Sequence, residues 1–175
     1  AWKYPSAGGY RVLPELNVAC SGLSISAKKE EWLALAGDNT NLRLALDELY
    51  KQFKDAPVLG SLINPETSLG KGSLFELKWE EVGPLLSKAL SGSKDIEKNE
   101  LGVVAKGTAN AAKILADKFH WVTTNVPFKE TKQLVEATQK FIEKYYSAGK
   151  TNLATAFVLR IKEILAAGGS ASVVT

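Results

Sequence analysis

Residues 96–122 read IEKNELGVVAKGTANAAKILADKFHWV, and the parsing of this stretch decides the fold. Leu101, Val104, Thr108, Ala111, Leu115, Phe119 and Val122 recur every third or fourth position, the period of one helix face. Gly102, Ala105, Gly107, Ala109 and Ala112 keep the middle slim, so a neighbouring helix can come close. The spacing predicts one long helix over 96–122, capped by Ser93 or Asp95.

The flanking segments carry the same period. Ser26 precedes a short helical run over 27–36, with Gly37 after it. Asn39 or Thr40 can cap a second helix whose stripe is Leu42, Leu46, Leu49 and Phe53, ended by Pro57. A connection over 57–72, rich in glycine and proline, keeps Leu59, Leu62 and Ile63 for packing and leaves room for a short strand. Ser73 opens a third helix over 74–90, which Gly83-Pro84 should kink or restart. Pro127 suits the first turn of a helix bearing Leu134, Thr138, Phe141 and Tyr145 up to Gly149. Thr151 or Asn152 caps a last helix through Ala167, stopped by Gly168-Gly169.

These segments predict an all-α fold: an antiparallel four-helix bundle, with room for one extra short helix, preceded by an extended N-terminal arm. The expected division is an arm at 1–26, a helical bundle domain at 27–168 and a flexible tail at 169–175. Phe53, Leu115 and Phe141 fall on three separate stripes and are expected in the core.

The composition excludes much. A length of 175 residues suits one domain, and 45% hydrophobic with 23% charged residues is ordinary for a globular chain. One cysteine, Cys20, excludes an internal disulfide, and one histidine, His120, excludes a Cys/His zinc site. The net charge is +3, and the only arginines are Arg11, Arg43 and Arg160. Arginine is the residue that grips phosphate as a fork, so no nucleic-acid partner is expected. Neither a phosphate-cradling glycine loop nor a nucleophile with its base can be found. Catalytic and metal residues are therefore expected to be none, with no cofactor bound directly, and the protein is not expected to be an enzyme. A chain beginning Ala1-Trp2, with no methionine, is read as a processed, exported or organellar protein.

In the arm, Pro5, Gly8, Gly9 and Pro14 forbid a helix, while Trp2, Tyr4, Tyr10 and Leu13 offer apolar contact without a period. Arg11 and Lys3 add charge. Trp2, Lys3, Tyr4, Tyr10, Arg11 and Leu13 are thus the candidate partner-binding residues, against the plainer reading that the arm packs on its own domain.

Two segments resemble a known family. Glu31-Trp32-Leu33, followed by Asn41-Leu42-Arg43-Leu44-Ala45, resembles the first long helix of the PsbQ family of extrinsic photosystem II subunits. Glu143-Lys144-Tyr145-Tyr146, Asn152 and Ile164-Leu165-Ala166-Ala167-Gly168 are similar to that family's closing helix. The glycine- and proline-rich connection fits an algal-type relative better than the plant protein. The resemblance implies a non-catalytic subunit of the plastid thylakoid lumen, peripheral to the membrane. It would bind the lumenal surface of photosystem II and stabilise the oxygen-evolving site without ligating its metals. Two other readings compete. One is a helical viral coat or filament subunit that self-assembles through its arm. The other is a carrier with an apolar cavity among Trp32, Trp79 and Trp121.

Overall fold

The computed structural model describes residues 16–68, 79–90, 95–126 and 128–174. Caps set the starts of three major helices. The side chain of Asn39 accepts from the backbone N–H of Leu42 and opens α2 (Thr40–Phe53), after the short α1 (Lys29–Ala34). Two four-residue turns, α3 (Ala56–Leu59) and α4 (Pro65–Ser68), occupy the connection. They are followed by α5 (Trp79–Leu90), which runs through Pro84. Asp95 caps α6 (Ile96–Ala116), and Asn152 caps α8 (Leu153–Ile164), which follows α7 (Glu136–Tyr145).

The main core lies among α1, α2, α3, α5 and α6. Trp32, Leu42, Leu46, Leu49, Phe53, Val82 and Leu86 are buried against the small face of α6, formed by Ala105, Ala109 and Ala112. Each such large side chain contributes about 1.5–3 kcal/mol on burial. The Trp32 indole also donates to the carbonyl of Leu46 at 2.7 Å, so its one polar atom is satisfied inside the core. Phe53 is a core residue as expected, whereas Leu115 and Phe141 are only half-buried at the core's margin. A second, smaller core gathers Leu62, Ile142, Tyr146 and Ala156 beneath α7 and α8. Residues 16–28 form no helix or strand and run along α6, where Asn110 donates to the carbonyl of Val18. A Cβ built on Gly107 would stand 2.9 Å from Cδ1 of Leu23, which places the Leu23 side chain directly over α6 at this glycine.

The all-α bundle is corrected by a sheet. β1 (Phe119–Asn125) and β2 (Leu165–Val174) pair in parallel, so the fold is mixed α/β. The long helix expected over 96–122 stops at Ala116, and Phe119 onward is strand. The aromatic and β-branched run Phe119 to Thr124 favours an extended pleat, and Asp117, in extended backbone, ends the helix. The last helix likewise ends at Ile164, and Leu165 turns straight into β2. The segment read as a tail, 169–174, is most of that strand.

Parallel strands need a crossover, and α7 and α8 supply it. The register sets Phe119 opposite Leu165 but Trp121 opposite Ser170, so β2 bulges between these pairs. Gly168 (φ +75°) and Gly169 form the bulge. A Cβ on Gly169 would lie 3.0 Å from the carbonyl oxygens of both Ala166 and Phe119. Neither strand contains an Asp, Glu, Lys or Arg.

Candidate functional site

In a parallel pair both strands present their carboxyl ends on the same side, and in α/β sheets ligands bind outside that edge. Here the edge consists of Asn125 in register with Val174, and the N–H of Val126 extends the ladder to the Val174 carbonyl at 2.9 Å. Val126 is buried and holds the edge in place, while Phe128 just beyond it is 72% exposed. Alternate strand residues share a face. Trp121, Thr123 and Asn125 therefore line one face of β1, beside their register partners Ser170, Ser172 and Val174, and all six are exposed. The strip runs about 13 Å from indole to amide at the usual rise per residue.

One buried guanidinium ties together the segments that lead into the two strands. Arg160, 1% exposed on α8, donates from Nε to the carbonyl of Ser61 at 3.2 Å and pairs with Glu163 at 3.4 Å. The Glu163 carboxylate also accepts from Asn64 at 2.9 Å and lies 3.1 Å from the Tyr146 hydroxyl, itself 3.0 Å from the Leu62 carbonyl. Burial raises the Tyr146 pKa, with the Glu163 charge adding and Arg160 opposing, so the phenol stays neutral. Burial lowers the pKa of Arg160, while Tyr146 and Glu163 oppose that shift. Lys118, just before β1, donates to the Glu163 carbonyl at 2.7 Å and to Glu66 at 3.0 Å. The costly part of this network is its inner end, where Arg160 and the Tyr146 hydroxyl are buried, while Lys118, Glu66 and Glu163 reach solvent.

The edge offers recognition rather than proton transfer. The Asn125 amide supplies both a donor and an acceptor, and the Phe128 and Trp121 rings supply flat apolar surfaces. That combination suits a planar heteroaromatic group with a hydrogen-bonding edge. Among the described residues, no group of three or more His, Cys, Asp or Glu side chains could hold a metal ion.

The sequence-predicted arm residues Trp2, Lys3, Tyr4, Tyr10, Arg11 and Leu13 lie outside the described residues. The apolar cavity expected among tryptophans is not built from Trp32 and Trp121. The first is sealed in the main core and the second stands 75% exposed on the sheet. His120, inside the helix expected over 96–122, lies in β1. Sequence reasoning missed Asn125 and Phe128. The available signal was a β-branched run closed by Asn125-Val126-Pro127-Phe128, a strand followed by a breaker.

Residues 89–175 match the model of the N-6 DNA methylase family. The matched stretch is just under half of the chain and holds α6, β1, α7, α8 and β2, that is, the whole sheet and its crossover. No curated protein matches the chain. The match overturns the resemblance to PsbQ, because the two families cannot both describe this domain. The photosystem II partner, the thylakoid lumen and the stabilising role at the oxygen-evolving site rest on that resemblance and fall with it. The coat or filament subunit gains no support either. Two further expectations are corrected: DNA methylases are enzymes, and their name implies contact with nucleic acid, where neither catalysis nor nucleic acid was expected.

Proposed function

We propose that residues 89–175 belong to a DNA adenine methylase and that the Asn125–Phe128 edge contacts the target base. The observation that carries this reading is the exposed amide and ring at the shared carboxyl edge of a parallel strand pair, within the matched stretch. An asparagine amide can donate to N7 of adenine while accepting from its N6 amino group. A methyltransferase reaches its target atom by extruding the base from the stack and holding it by edge hydrogen bonds and aromatic or apolar stacking. Asn125 supplies the first kind of contact and Phe128 the second.

Methyl transfer also requires a bound methyl donor, and the described residues do not fit one. A glycine-rich turn from strand to helix lets backbone approach a nucleotide-like cofactor. No glycine follows Asn125 before α7, and Gly168-Gly169 sit inside β2, ahead of its carboxyl end. No transfer step is routed through this edge; its residues bind and orient the base.

The test is the anisotropy of a labelled single-stranded oligonucleotide carrying one central adenine, compared with the same strand carrying purine there, which lacks the N6 amine. The adenine strand should bind more tightly, by roughly the 1–3 kcal/mol of a good bidentate pair, and Asn125→Ala should abolish that preference. Phe128→Ala should weaken both strands. Equal affinity for the two strands in the wild-type chain would sink the reading.

A further inference from the structure

The base site proposed above uses the Asn125–Phe128 end of the exposed strip and leaves Trp121, at its other end, without a role. Trp121 is 75% exposed and shares its face with Asn125, about 13 Å away along β1. Among the described residues neither an aromatic ring nor an ammonium lies against its indole. The exposed Thr123 stands between ring and amide, with Ser170 and Ser172 beside them on β2. A lone exposed aromatic is ordinary on a protein surface. This one is in line with a base-reading amide, across a row of hydroxyls.

The formal charge along the strip has one sign. From Lys118 through Lys129, and from Leu165 to Thr175, the sequence holds no aspartate or glutamate. Lys118 is engaged by Glu66 at 3.0 Å. Lys129, directly after Phe128, is exposed and makes no ion pair among the described residues. Of the nearest carboxylates in sequence, Asp117 accepts from the N–H of Lys118 at 2.8 Å, and Glu130 belongs to the bridge with Asn152. An ammonium and hydroxyls donate to phosphate and sugar oxygens, and an open indole face stacks any base. An acidic peptide would use the ammonium but leave the ring idle, and an apolar partner would bury the hydroxyls unpaired.

The spacing also selects the form of the nucleic acid. Stacked bases rise about 3.4 Å per step, so bases held about 13 Å apart are not neighbours in one stack. We infer that Trp121 is a second base platform, indifferent to sequence, for a single strand of DNA laid along this face with a phosphate at Lys129. The inference rests on the adenine site for its choice of polymer.

The experiment walks one abasic residue along a labelled single-stranded 12-mer with a central adenine. Anisotropy gives the affinity of the full chain and its variants, with circular dichroism to confirm that each is folded. The wild type should lose affinity at the adenine and at one further position, separated from it by at least one nucleotide. Trp121→Ala should weaken the intact strand roughly five- to hundredfold and erase the second loss alone. Trp121→Phe should restore both, since the ring face and not the indole N–H stacks. Lys129→Gln should flatten the salt dependence by about 0.7 in slope, the share of one phosphate on a single strand. No second loss in the wild type, or its persistence in Trp121→Ala, overturns this proposal and leaves the adenine preference standing. Equal affinity for adenine and purine with the second loss intact sinks the adenine site alone. A duplex 12-mer bound as tightly as the single strand overturns the single-strand assignment. If Trp121→Ala abolishes self-association and leaves the abasic profile unchanged, the face is a contact between copies and the proposal falls.

Discussion

The guanidinium of Arg160 donates to the carbonyl of Leu115 at 2.5 Å and so ties α8 to the last turn of α6. β1 starts just after α6 and β2 starts at the end of α8, so this contact, with that of Lys118 to the Glu163 carbonyl, links the two strand origins. Replacing Arg160 with methionine should cost about 1–3 kcal/mol in urea unfolding, because the carbonyls of Ser61 and Leu115 lose their donor, while the partly exposed Glu163 carboxylate can turn to water. Arg160→Lys should recover little, since an ammonium cannot span three acceptors as a planar fork does. A loss under about 1 kcal/mol in the methionine variant would show that the contact is dispensable.

Gly149 makes a different kind of demand. A Cβ there would stand 2.9 Å from the backbone of Thr155 and Ala156, atoms that cannot rotate away. The Thr155 hydroxyl also reaches back to the Gly149 carbonyl at 2.7 Å. Gly149→Ala should destabilise by about 1–3 kcal/mol through overpacking, seen as a lower urea midpoint with an unchanged slope.

Two phenylalanines should separate the core from its margin. Phe53 is 1% exposed, and Phe53→Ala should cost about 3–5 kcal/mol. Phe141 bridges the two cores but is only half-buried, so Phe141→Ala should cost less, about 1–3 kcal/mol. Equal losses would mean that the smaller core is as tightly closed as the larger.

Asp47 gives the fold a pH dependence of known sign. Hydrogen bonds from Lys29 and Lys51, both at 2.6 Å, hold its carboxyl below the ordinary carboxylate range. A carboxyl whose pKa is lower in the folded state stabilises above its unfolded pKa, and this stability is lost as pH falls through the folded value. Both lysines are largely exposed, so Asp47→Asn should cost at most about 1 kcal/mol at pH 7. The gap between wild type and variant should close below about pH 4, as read from denaturation midpoints across pH.

Helix starts were legible because capping is local. Asn39, Asp95 and Asn152 each sit three residues before the N–H they accept from, and a short window contains the whole interaction. The strands were not, for two reasons. Phe119 and Val122 extend the α6 stripe at helical spacing, so periodicity alone favours more helix. Their partner is rich in Ala, Gly and Ser, which carry little strand preference, and it becomes a strand only by pairing with β1. The candidate site inherits that blindness: Asn125 reads as part of a connection and Phe128 as the first turn of a helix opened by Pro127, whereas the parallel pairing ends at Asn125 and α7 starts only at Glu136. The scarcity of arginine pointed away from nucleic acid, whereas the match over residues 89–175 points toward it. Arg160, the one buried arginine among the described residues, serves the fold instead.

The parallel pairing has a consequence for how the chain reaches this state. Phe119 and its partner Leu165 are separated by the whole α7–α8 crossover, so the pairing of β1 with β2 must close a long loop before it gains any contact. Until then, two nearly uncharged extended segments stand open to other chains, with no gatekeeper residue in either. Protein concentration, more than denaturant or temperature, should then govern the yield of refolding, and the material lost should be aggregate enriched in intermolecular strand. A single lysine at Thr123, exposed in the native sheet, should rescue that yield without shifting the equilibrium midpoint.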